Sequence, residues 1–117
     1  MAGVLALVND LLFQSKIIET ARHVGVEVKV VGTGDVLVAE AQSQAPALVI
    51  VDLNAPSGAI EAIERLQAAG STVPIIGFLS HVQVDLAERA QAAGCTQVMP
   101  RSKFTQQLAT ILTRAQY

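Results

Sequence analysis

Tryptophan is missing from this 117-residue chain, and Phe13, Phe78, Phe104 and Tyr117 are its only aromatics. So few rings leave little to stack a flavin, and no hydroxyl-rich phosphate loop accompanies them. Charge is equally sparse: 15% of residues are Asp, Glu, Lys or Arg, with a formal net charge of -2. Disorder needs low hydrophobicity and strong self-repulsion, and neither is present. A nucleic-acid partner held through phosphates needs a basic excess, which is absent. Of the basic residues, only Arg101 and Lys103 stand close together. The single cysteine, Cys95, excludes an internal disulfide and a thiolate zinc cage. Its neighbours Ala92, Ala93 and Gly94 make it a small buried thiol. No long apolar run occurs either. The stretch Met1 to Val8 is broken by Asn9 and Asp10 and lacks a basic start. It is therefore neither a signal peptide nor a membrane span, and a cytoplasmic location is expected.

What the chain does have is apolar material, 51% of its residues, enough for the core of one domain over 1–117. Short β-branched or apolar runs occur at Val4–Val8, Val26–Val31, Leu48–Val51, Val73–Phe78 and, more weakly, Thr96–Met99. Such runs suit strands covered on both faces. Helical spacing links Phe13, Ile17, Ala21 and Val24, then Val82, Leu86, Ala90 and Ala93, then Phe104, Leu108, Ile111 and Ala115. Gly25, Gly70 and Gly94 follow helical stretches as stops. Asp35 is expected to cap a helix running to about Gln44, ended by Pro46. Five strands alternating with five helices predict an α/β fold with a doubly wound parallel sheet.

Ligands of such sheets bind outside the carboxyl ends of the strands. Asn9 and Asp10 follow the first strand directly, and Asp52 follows the third. In the flavodoxin-like order 2-1-3-4-5 these strands are neighbours, so the side chains converge. Two adjacent carboxylates repel unless a cation neutralises them, and a hard divalent ion with oxygen ligands would do so. Turn closure and helix capping would explain either residue alone. Glu19, Glu40, Glu61, Glu64, Asp85 and Glu88 fall within helical stretches and read as solvated faces. His81, after Ser80, reads as a loop or capping residue, and His23 suits the end of a helix. Gly32-Thr33-Gly34-Asp35 lacks the lysine of a phosphate loop and reads as a turn.

The segment Leu48-Val49-Ile50-Val51-Asp52-Leu53-Asn54-Ala55-Pro56-Ser57-Gly58 resembles the phospho-acceptor segment of bacterial response-regulator receiver domains, down to the Pro and Gly behind the acceptor. Leu5-Ala6-Leu7-Val8-Asn9-Asp10, Val73-Pro74-Ile75-Ile76 and Ala92-Ala93-Gly94-Cys95 are similar to that family in the same order. The resemblance implies that Asp52 accepts a phosphoryl group. It implies magnesium on Asp10 and Asp52, helped by the Asn54 carbonyl and, more weakly, by Asn9. The chain also departs from the family. Asn9 replaces an acid, and Leu79 falls where a Ser or Thr hydroxyl is usual, leaving Ser80 to serve only through a local shift. Arg101-Ser102 stands where Lys-Pro is usual, with Pro100 one residue early, so no cis bond is expected. Arg101 keeps the positive charge as a fork, and Val98 takes the place of a switch aromatic.

Two functions follow. One is a receiver in two-component phosphorelay signalling, taking phosphate from a histidine kinase or phosphotransfer protein and altering a surface for an output protein. The other is a degenerate receiver, acting as an interaction module without phosphate, with Arg101 paired to Asp52. A homodimer would be a family habit. An enzyme is not expected, because no second base accompanies the carboxylates, and the sparse charge and short apolar runs give no reason to expect a direct nucleic-acid or membrane partner. The chain ends just after the fifth helical pattern, leaving no output domain within these residues.

Overall fold

Strands and helices alternate without exception along the chain. They run β1 (Val4–Leu7), α1 (Leu11–Val24), β2 (Val28–Val31), α2 (Gly34–Gln44), β3 (Leu48–Asp52), α3 (Ala59–Ala68), β4 (Ile75–Leu79), α4 (Val84–Ala93), β5 (Gln97–Pro100) and α5 (Arg101–Arg114). The structure is a computed structural model that describes residues 3–55, 58–80 and 83–115. Pro56, Ser57, His81, Val82 and Tyr117 lie outside the described residues. The five strands form one parallel sheet in the order β2-β1-β3-β4-β5. The expected doubly wound architecture is the one observed.

The period of two along each buried strand sorts the core into two layers. Leu5, Leu7, Val49, Val51, Ile75 and Leu79 face α2, α3 and α4. Val4, Ala6, Leu48, Ile50, Ile76 and Phe78 face α1 and α5, where they meet Phe13, Ile17, Phe104 and Leu108. Gly77 is where β4 can least take a side chain: a Cβ there would lie 3.0 Å from Leu53 and 3.1 Å from the Cys95 sulfur. Cys95 is buried, and burial pushes its thiol up to about 11, so it is packing and not a nucleophile.

One cap differs from the expectation. Asp35 does not cap α2; Thr33 does, its hydroxyl accepting from the Val36 N–H, and Asp35 pairs with Arg65 instead. The helix begins two residues earlier than a cap at Asp35 implies, because a threonine in extended conformation can satisfy the free N–H. The last strand also sits one residue later than expected. Pro100 closes β5 and caps α5 at φ -62° and ψ 151°, so Arg101 opens the helix with no intervening loop. All described peptide bonds are trans.

Candidate functional site

Asp10, Asp52 and Arg101 leave the ends of β1, β3 and β5 and meet at the carboxyl edge of the sheet. Asp10 is the N-cap of α1: one carboxylate oxygen, Oδ1, accepts from the Leu12 N–H at 3.0 Å and the Phe13 N–H at 3.3 Å. Capping and the acid pocket are thus two uses of one side chain. Asp52 ends β3 and is 5% exposed. Its Oδ1 accepts from the Asn54 N–H at 2.9 Å, in the turn where the Ala55 N–H returns to the Asp52 carbonyl.

The second oxygen of each carboxylate faces the same cation. Arg101 Nη1 donates to Asp10 Oδ2 at 3.3 Å, and Nη2 lies 3.5 Å from Asp52 Oδ2. The guanidinium carbon stands 4.7 Å from the centroid of Phe13 and 5.5 Å from that of Phe78. Phe104 completes the floor, stacked on Phe78 at 4.6 Å. Phe13 and Phe78 therefore support the cation, and Phe104 packs against both rings. Sequence reading missed this floor. Its signal was present, since Phe13 and Phe104 each follow a pocket residue, Asp10 and Arg101, by one helical turn.

Burial holds the Asp52 carboxyl above the usual carboxylate range, with the Asn54 N–H and the Arg101 charge pulling the other way. Asp10 is lowered, first by the Phe13 N–H. The two acids are thus pushed apart by their surroundings.

A second group adjoins the first. Asn54 Oδ1 accepts from both the Ser80 N–H at 2.7 Å and the Ser80 hydroxyl at 3.1 Å, and its amide donates to Gln83 Oε1 at 2.8 Å. This clasp joins the β3 end, the β4 end and the start of α4. Gln83 had no signal of its own in the sequence. Ser80 lies next to the pocket, but its hydroxyl is turned to Asn54 and not to Asp52. Leu79 belongs to the layer under α2–α4, away from Asp52. Asn9 is directed to the neighbouring turn, its amide donating to the Gly32 carbonyl at 3.0 Å.

Magnesium, tested against these donors, does not fit the pocket as it is arranged. Both Oδ1 atoms accept backbone N–H groups, and both Oδ2 atoms face Arg101. No cluster of three or more His, Cys, Asp or Glu residues able to hold a metal occurs among the described residues.

No protein-family model and no curated protein matches the sequence. Solved structures do match. The receiver domain of NarL from Mycobacterium tuberculosis aligns with a TM-score of 0.79 at 15% identity, covering 98% of this chain and 96% of that one. The chemotaxis response regulator CheY4 of Vibrio cholerae aligns at 0.80 and 24% identity, covering 98% of each. This chain has the receiver-domain fold. NtrX from Brucella abortus carries the same fold in a longer protein, with a TM-score of 0.81 and 17% identity. There the match covers 98% of this chain but 26% of the other. The receiver fold places the Asp52 pocket at the carboxyl edge of the sheet. No described helix is long and apolar enough to cross a membrane.

Proposed function

We propose that this chain is a receiver-type signalling module that works through a protein-contact surface without phosphoryl transfer to Asp52. The observation that carries this reading is the Arg101 guanidinium standing between Asp10 and Asp52. A carboxylate that attacks phosphorus needs a free lone pair and a cation that draws the phosphate in. Here the resident cation faces the oxygen that would attack, and no described hydroxyl is aimed at the pocket from β4. The Arg101 pairing and the trans passage from β5 into α5 support a fixed state, read by a protein partner.

The test is a beryllofluoride titration with magnesium, followed by amide chemical shifts. The expected result is no saturable shift at Leu53, Asn54 or Ser80. A second reading keeps Asp52 as phospho-acceptor, and the raised, protein-enclosed carboxyl at the β3 end favours it. In that reading Asp52 Oδ2 forms the P–O bond as the P–N bond of a phosphohistidine donor breaks, after Arg101 moves to the phosphate. Saturable shifts that vanish in Asp52→Asn would establish it.

A further inference from the structure

We infer that Arg101 is the pocket's built-in counter-ion, that it replaces a divalent metal, and that removing it uncovers a magnesium site on Asp10 and Asp52. This deepens the reading above and rests on the same geometry. The guanidinium is a planar fork, and its two terminal nitrogens address different carboxylates, Nη1 at 3.3 Å from Asp10 and Nη2 at 3.5 Å from Asp52. An ammonium is a point charge and cannot span both in that way. The fork is also held from below by the Phe13 and Phe78 rings, and Arg101 is the first residue of α5.

The helix end itself is unfavourable for a cation. A helix N-terminus carries partial positive charge, and the first turn of α5 contains no acid. The buried Arg101 Nε has no hydrogen-bond partner among the described residues. Two carboxylates outweigh these costs, as they would for a metal. Once Arg101 is gone, two carboxylates with a free oxygen each match what magnesium takes from a protein, with waters filling the other positions.

The experiment is a magnesium titration of the whole chain, read by thermal melting in circular dichroism against sodium chloride of equal ionic strength. The unaltered chain should show no melting shift beyond the salt control. Arg101→Met should melt lower without magnesium and recover several degrees with it, saturably, binding about tenfold or more tightly than the unaltered chain. Arg101→Lys, which keeps charge and stem, should gain a smaller but saturable response, and Arg101→Met/Asp52→Asn should lose it. Saturable stabilisation of the unaltered chain overturns the inference, and so does a magnesium response absent from both Arg101 variants. These outcomes are separate from phosphoryl transfer: a chain that becomes phosphorylated while Arg101→Met still gains magnesium overturns the proposed function alone.

Discussion

Asp10 and Asp52 answer to pH in opposite senses, although both face one guanidinium. Asp52 is raised, chiefly by burial, so its share of stability is present below its unfolded pKa and is lost as pH rises through its folded value. Asp10 is lowered, chiefly by the Phe13 N–H, so its share is present above its unfolded pKa and is lost as pH falls. At neutral pH the ionised Asp52 is therefore a net cost. Asp52→Asn is expected to stabilise the fold by about 1 kcal/mol near pH 7, with the gain shrinking toward about pH 4. Thermal melts across that range check it. A gain that does not vary with pH would show that the carboxylate's titration is not the source.

Each helix end shows how local chemistry ended or began an element. Gly25, at φ 76°, stops α1 in the left-handed region that glycine enters freely. Ala45 does the same work for α2 at φ 48° with a Cβ in the way, and Pro46 prevents the helix from running on. Ala45→Gly should therefore raise stability by about 1 kcal/mol, read as a higher urea midpoint with an unchanged slope. An unchanged or lower midpoint would mean that the strain is not there. Elements with a strong period were legible: the α1 pattern of Phe13, Ile17 and Ala21 is buried as expected, and so is Phe104, Leu108 and Ile111 in α5. The α2 start was not, since Thr33 and Asp35 are both good caps and only the backbone decides between them. Asp35 went to Arg65, a partner 30 residues away that no local pattern reveals. The clasp of Asn54, Ser80 and Gln83 was hidden for the same reason, because amides pair through the fold and carry no spacing signature.

The whole molecule brings together what the sequence holds far apart. Asp10 and Asp52, 42 positions apart, come together because the order β2-β1-β3-β4-β5 sets the ends of β1 and β3 side by side. That convergence was readable once the strands were ordered. The guanidinium's choice of both carboxylates was not, for it depends on α5 starting at Arg101 and on three rings meeting beneath it. Receiver-fold neighbours at 15% to 24% identity share the scaffold, and the pocket's chemistry belongs to this chain's own residues. In the proposed function Arg101 keeps the Asp52 carboxylate from acting as a phospho-acceptor. This role is tested most directly by incubating the chain with magnesium and acetyl phosphate, then weighing it intact by mass spectrometry. One species is expected, at the mass of the unmodified chain. A species heavier by one phosphoryl group, present in the unaltered chain and missing from Asp52→Asn, would contradict it.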